Sequence, residues 1–350
     1  MRAVTIEPRR AGSLRLEELP APAPRAGELL ARTVAVGVCG TDRELIEGRY
    51  GAAPPGRARL LLGHESLARV VEAPAASGFA ADDLVVGIVR HPDPEPCANC
   101  AAGEWDMCTN GRYTERGIER ADGFAGELFA ADPAMTVKVD ASLGLAAVLL
   151  EPASIVAKAW EHVERIGRRA LWQPQRALIT GAGPVGLLAT LLGVQRGLEV
   201  HVLDRNSSGP KPGFVADAGA TYHTEADSRL ADLRFDVVIE CTGAEAVIRR
   251  VLRLDGNPNQ IVCLAGLGAG HAPAPFDFQA FNRGLVLGNR VVFGSVNANR
   301  RHYLAGAAAL ARADRGWLER LITRRVPLES WREAYERRPG DVKTVLTFAH

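Results

Sequence analysis

The 350-residue sequence has almost no net charge, with 42 basic residues against 41 acidic ones and a balance of +1. It lacks the basic excess of a nucleic-acid binder or of a protein that docks on anionic membrane. It has only six cysteines, too few and too unevenly placed for a disulfide framework. Its longest apolar run, Leu143 to Leu150, falls far short of the roughly 20 residues that span a bilayer. The N-terminus MRAVTIEPRR has no apolar core of signal-peptide length, and no internal repeat is visible. These absences leave a cytoplasmic protein as the expectation, without membrane or nucleic-acid partners. What remains is ordinary globular composition, 47% hydrophobic and 24% charged, at a length that suggests about two domains.

The chain is organised around Arg176 to Asp204. A short apolar run, Ala177 to Thr180, enters the turn Gly181-Ala182-Gly183-Pro184-Val185-Gly186. A helical pattern follows (Leu187, Leu188, Leu191, Leu192), then a strand-like run, Glu199 to Leu203, stopped by Asp204. Strand, glycine turn, helix, strand and terminal acid make a dinucleotide-binding βαβ unit. Gly181 permits the tight turn, Gly183 admits a pyrophosphate, and Gly186 lets the helix sit close on the sheet. The helix N-terminus offers free N–H groups to the phosphate. Asp204 is suited to accept hydrogen bonds from ribose hydroxyls.

Residues 1 to about 150 read as β-rich, with strand-like runs at Leu29–Val36, Ala68–Glu72, Leu84–Val89 and Thr136–Val139. Pro20 to Pro24 is a stiff loop. A helix pattern begins after Pro152, with Ile155, Val156, Ala159 and Val163 on one face. Further strands are expected at Val237–Ile239, Ile261–Leu264 and Val291–Phe293, which put Cys241 and Cys263 in the core. This alternation implies an α/β fold with a doubly wound parallel sheet. Ser207 to Gly213 is the most loop-like stretch there. The tail offers helices at Leu304–Ala313 and Trp331–Arg337 and a final strand, Thr344–Phe348.

Three short segments of the first domain carry metal-binding chemistry: Val38-Cys39-Gly40-Thr41-Asp42, Leu62-Gly63-His64-Glu65 and Leu150-Glu151-Pro152. Cys, His and Glu form a mixed sulfur, nitrogen and oxygen set that suits Zn²⁺ with a position left open. Taken singly, each also reads as a packed thiol, a satisfied histidine and a helix-start acid. Spacing alone does not show that they converge.

VGVCGTD, LLGHE and LLEP, followed by GAGPVG, resemble the zinc-dependent medium-chain dehydrogenase/reductase family over nearly the whole chain. CGTDRELIEG, Tyr113 to Ile118, and Gly294-Ser295-Val296-Asn297 are most similar to its archaeal-type glucose dehydrogenases. The resemblance implies a β-rich GroES-like catalytic domain (1–155 and 295–350) and a Rossmann domain (156–294). It implies Cys39, His64 and Glu151 as catalytic zinc ligands and Glu65 as an acid that ligates the metal or sits behind it. Thr41 matches the hydroxyl that passes the substrate proton outward. Glu44 takes a relay position that is His in many alcohol dehydrogenases. Cys97, Cys100 and Cys108 match a structural zinc lobe whose remaining cysteine is here Pro94, so Asp93, Glu95 or His91 would have to complete it. Free thiols in a degenerate lobe are the alternative.

On the substrate side the resemblance implies Glu115 on vicinal sugar hydroxyls, Asn297 between nicotinamide and substrate, and His302 near the substrate. Thr41 and Glu151 would also meet it. Asp204 favours NAD by repelling a 2′-phosphate, whereas Arg205 could pair with that phosphate, so NADP stays open. Thr242-Gly243 should pass near the cofactor, and Lys343 should reach its pyrophosphate. The implied reaction is oxidation of an aldose, D-glucose first, at C1 to the lactone, in a cleft between the domains. The same chemistry on another polyol, cyclitol or aminosugar is the alternative. A zinc-free reductase and a thiol-based sensor are further readings. Relatives are homodimers or homotetramers.

Overall fold

The strand Leu29–Val38 is the spine of the first unit. Leu29, Ala31, Thr33 and Ala35 face inward while Arg32 faces water, the alternation of a sheet with one wet face. It pairs antiparallel with Glu65–Glu72, Lys343–Thr347 and Leu128–Ala131. The seven-stranded sheet runs Thr136–Lys138, Leu84–Gly87, Glu65–Glu72, Leu29–Val38, Lys343–Thr347, Ile322–Pro327, with Leu128–Ala131 alongside. The C-terminal strand therefore lies beside the strand that ends at the Cys39 segment. A core including Ile6, Leu29, Leu62, Phe124 and Trp331 packs beneath this sheet and the small sheet of Arg2–Ile6.

The computed structural model describes residues 1–268 and 275–349, and the chain divides into Met1–Ser154 with Asn297–His350, and Ile155–Val296. The second unit holds six strands in the order Thr221–His223, Glu199–Leu203, Arg176–Thr180, Val237–Glu240, Ile261–Leu264, Val291–Gly294. Every neighbouring pair is parallel. Val237, Val238 and Ile239 are fully buried, as expected where helices cover both faces. Each contributes roughly 1.5–3 kcal/mol of burial. Strand order reverses between Arg176–Thr180 and Val237–Glu240, the switch point where such sheets bind ligands.

Local sequence explains several departures from the sequence reading. The helix Leu150–Gly167 starts before Pro152, because proline in a first turn sacrifices no hydrogen bond. The preceding Ala141–Leu149 is 3-10 helix broken at Gly144, so Leu143 to Leu150 is a buried corner. Within SSGPKPG the helix Lys211–Asp217 already begins, with a proline again in its first turn. The last helix is shorter than expected, Trp331–Tyr335. The strand Ile322–Pro327 and the helix Arg315–Leu321 carry no strong sequence signal.

Candidate active site

Cys39 caps the helix Gly40–Ile46, its sulfur accepting from the Thr41 amide at 3.2 Å. That same sulfur lies 3.0 Å from His64 Nε2. The donor atoms of Cys39, His64 and Glu65 all lie within 4.8 Å of one another. A thiol, an imidazole and a carboxylate so placed fit a zinc ion by donor chemistry. Asp42, which sequence reasoning passed over, orients two of them. Its Oδ2 accepts from the Cys39 amide at 2.9 Å, and its Oδ1 faces His64 Nδ1 at 3.3 Å. Carboxylate behind imidazole is the usual support of a metal-bound histidine. Burial works against a charged His64, yet Cys39 and Asp42 raise its pKa well above the ordinary value. The pocket thus favours a cation.

Glu151 is also buried but is not among the donors that converge within 4.8 Å. Burial, reinforced by Glu65, pushes its carboxyl up to about 7. Glu65 is held by Lys343, whose Nζ reaches both carboxylate oxygens at 2.7 and 2.5 Å. This corrects the assignment of Lys343 to the pyrophosphate. Thr344 pairs with Val38 across the sheet, which delivers Lys343 next to the metal donors, and the lysine is 1% exposed. Thr41 hydrogen-bonds the half-buried Tyr50, whose hydroxyl burial pushes up to about 12. Glu44 is half-buried, 3.9 Å from Arg49.

On the substrate side, Glu115 is tied down through one oxygen. Its Oε1 accepts from Arg90 Nε and Nη2 at 2.9 and 2.8 Å and from Asn297 Nδ2. Oε2 takes no hydrogen bond from the described residues. Arg90 is itself fixed under the Tyr113 ring at 3.8 Å and donates to the Asp106 carbonyl. Asn297 sits at φ +61°, a conformation asparagine tolerates. His302 is corrected. It is fully buried and its Nδ1 accepts from the Asn299 amide at 3.1 Å, capping the helix Arg300–Ala311. A substrate has no access to it.

Cys97, Cys100 and Cys108 form a second converging set within 4.8 Å. Hydrogen bonds from Thr109 pull the Cys97 thiol down to about 6, while burial raises Cys100. Asp93 is buried but engaged by Arg112 and Asn110, Glu95 pairs with Arg112, and His91 Nε2 faces the Ile88 carbonyl. The lobe is clamped to the rest of its unit by Asn299, which donates to Glu104 and Asp106.

In the second unit Gly181 takes φ +88° and a Cβ on Gly186 would overlap the Gly181 carbonyl. A Cβ on Gly183 would meet nothing within 4 Å, so that side of the turn is open. Pro184 opens the helix Pro184–Val194, Val185 follows it, and no side chain caps the helix. Its first amides fit a pyrophosphate. The buried Glu240 holds the Thr242-Gly243 loop, accepting from the Thr242 amide at 2.7 Å and the Gly243 amide at 3.1 Å. Sequence reasoning missed Glu240, although an acid directly before a Thr-Gly turn is a usable signal. Asp204 accepts from the Ala182 amide at 2.8 Å, the Asn206 amide at 3.0 Å and Lys211 Nζ at 3.0 Å. Arg205 is exposed.

A GroES-like unit with zinc chemistry and a Rossmann unit with an open glycine turn together define an NAD(P)-linked, zinc-dependent dehydrogenase. Residues 25–141 match the alcohol dehydrogenase GroES-like domain and residues 144–348 the glucose dehydrogenase C-terminus. Glucose 1-dehydrogenases of Thermoproteus tenax and Methanocella arvoryzae are 41% and 38% identical, with 99% of each chain covered in both cases. A Haloferax mediterranei glucose dehydrogenase solved with NADP, zinc and gluconolactone superposes with a TM-score of 0.91 at 30% identity, covering both chains fully. The chain belongs to the zinc-dependent medium-chain dehydrogenase/reductase family, close to its archaeal glucose dehydrogenases.

Proposed function

We propose that this chain oxidises an aldose, D-glucose first, at C1 to the lactone, passing hydride to a nicotinamide dinucleotide. The observation that carries this reading is Glu115. Its Oε1 is saturated by Arg90 and Asn297, and Oε2 is left as an acceptor for sugar hydroxyls. Cys39 and His64 would hold the catalytic zinc, with Glu151 or Glu65 as oxygen donor. A zinc held there would supply Lewis acidity toward the C1 hydroxyl, and a dinucleotide would supply the hydride acceptor. Thr41 accepts the hydroxyl proton and hands it toward Tyr50 and Glu44. Asp42 keeps His64 in one orientation. The turn Gly181–Gly186 and Thr242 would seat the dinucleotide. Relatives named glucose 1-dehydrogenase at 38–41% identity support the substrate class.

Cys97, Cys100 and Cys108 would hold a second zinc in this reading, the lowered Cys97 thiol being a ready ligand. The protein works in the cytoplasm as a homodimer or homotetramer. Phe278, Val286 and Leu287, at the two ends of the helix Phe278–Leu287, stay 65–68% exposed, apolar surface that a second copy would cover. Initial rates across aldoses and polyols, with NAD and NADP in parallel, test the reading. Strong turnover of glucose or a close epimer supports it. A flat aldose panel with intact zinc would move the substrate to another polyol, cyclitol or aminosugar.

A further inference from the structure

An acid at the end of the strand Glu199–Leu203 ordinarily selects NAD in two ways. It accepts hydrogen bonds from the ribose hydroxyls, and its charge repels a 2′-phosphate. Both are weakened for Asp204 as it is placed here. Its side chain is 7% exposed, and each oxygen already accepts at least one hydrogen bond. Oδ2 accepts from the Ala182 amide inside the glycine turn and from Lys211; Oδ1 accepts from the Asn206 amide. The carboxylate is spent on holding the turn, and its charge is matched by an ammonium at 3.0 Å. Burial raises the Asp204 carboxyl, but the Ala182 and Asn206 amides and Lys211 outweigh it and hold it below the ordinary value. It therefore stays ionised and paired.

What faces water at this strand end is basic. Arg205 is exposed and carries no ion pair among the described residues, and Lys211 retains donors beyond the one given to Asp204. Lys211 opens the helix Lys211–Asp217, so its position is set by that helix and by the ion pair together. Tyr222 donates to the Asn206 carbonyl and so pins the turn carrying Arg205. The segment from Asp204 to Lys211 holds one acid against two cations.

We propose that Lys211 is a specificity-determining residue of the dinucleotide site. Paired with Asp204, it turns the acid that would exclude a 2′-phosphate into the anchor of a cationic cradle, completed by Arg205, that accepts one. This rests on the dinucleotide reading of the glycine turn and deepens its cofactor choice toward a 2′-phosphorylated adenosine.

The test is calorimetric titration of the intact zinc-loaded enzyme, without sugar, using 2′,5′-ADP and 5′-AMP as probes. Wild type should bind 2′,5′-ADP at least about tenfold more tightly than 5′-AMP, as charge-assisted contacts to the extra phosphate demand. Lys211→Met should cost 2′,5′-ADP at least about tenfold while moving 5′-AMP by less than about twofold. Lys211→Arg should restore the preference, which a loss of packing alone would not allow. A wild-type preference for 5′-AMP would overturn the proposal, as would equal weakening of both probes by Lys211→Met. Should that variant fail to fold, Arg205→Ala in the same titration decides, with selective loss of 2′,5′-ADP in favour and none against. Because no sugar is present, an error in the assigned substrate leaves every outcome readable. Failure of both probes to bind would overturn the dinucleotide reading and this proposal together.

Discussion

Each unit of the chain sets a lysine against the acid of its site, and the two pairs do opposite work. Glu65 and Lys343 are both buried, at 3% and 1% side-chain exposure, with contacts as short as 2.5 Å. Asp204 and Lys211 are 7% and 18% exposed and 3.0 Å apart. The chain has only four lysines, Lys138, Lys158, Lys211 and Lys343, among its 42 basic residues. A lysine suits these places because its charge is compact and its stem fits a narrow path. In the first pair the ammonium has no water to return to, so it fixes Glu65 beside Cys39 and His64. In the second the ammonium reaches the surface and can share its charge with an arriving anion. Burial, more than residue identity, decides which role a Lys–carboxylate pair takes.

The largest effect should come from the donors that the first pair flanks. Cys39→Ser or His64→Ala should lower turnover by about 10³ or more, the scale of lost Lewis-acid assistance. Binding of 2′,5′-ADP should stay within about twofold of wild type by calorimetry, since those donors lie in the other unit. Parallel loss of nucleotide affinity would show that the metal site is structural and erase the division of labour. Next comes Lys343→Met. It leaves a buried carboxylate unpaired and should cost about 3–5 kcal/mol in denaturant unfolding. Adding Glu65→Gln should recover part of that. If Lys343→Met costs no more than Lys211→Met, the contrast between a closed and an open pair is wrong.

A smaller effect is expected at Glu115. Glu115→Gln should raise KM for the sugar about tenfold or more with a lesser change in kcat, because a neutral amide accepts hydroxyl hydrogen bonds more weakly. Arg90→Lys should move KM in the same direction by releasing Oε1 from its two-pronged hold. Unchanged KM in Glu115→Gln would remove the sugar contact. A change in Glu115→Gln without one in Arg90→Lys would confine the role to the carboxylate.

The sequence made some of these pairings legible and hid others for a physical reason. The glycine turn could be read because its function lives in consecutive residues: Gly181, Gly183 and Gly186 each act through backbone shape. The metal donors could be named because Cys39 and His64 lie in short distinctive segments. Their convergence could not be seen, since it depends on the register of Leu29–Val38 against Glu65–Glu72. Lys343 was misassigned for the same reason, being 278 residues from the Glu65 it pairs with. His302 matched a substrate-side histidine by resemblance, whereas the fold uses it as a helix cap. Lys211 was hidden inside a stretch whose Pro and Gly content reads as loop, although a helix begins there. Local chemistry is written in neighbouring residues, whereas the partner that neutralises a charge is chosen by topology.

The smallest expected effect gives the sharpest view of the open pair. Lys211→Met should lower stability at neutral pH by no more than about 1 kcal/mol, as for a partly solvated ion pair. Its pH dependence separates charge from packing. The Asp204 carboxyl titrates below its unfolded value. A carboxylate of that kind gives stability that is present above the unfolded pKa, near 4, and is lost as pH falls through the folded one. Lys211 is one cause of that depression, so its removal brings the folded value nearer the unfolded one and shrinks the contribution. The difference between wild type and Lys211→Met in thermal unfolding should therefore be largest near pH 7. It should begin to close as the pH falls below about 4 and vanish once the pH is below the folded value, where the acid is neutral and the lysine has nothing to pair with. A difference that stays constant across that range would assign Lys211 to packing of its helix. It would leave Asp204 as an unbalanced acid, and the two lysine pairs would no longer be variants of one device.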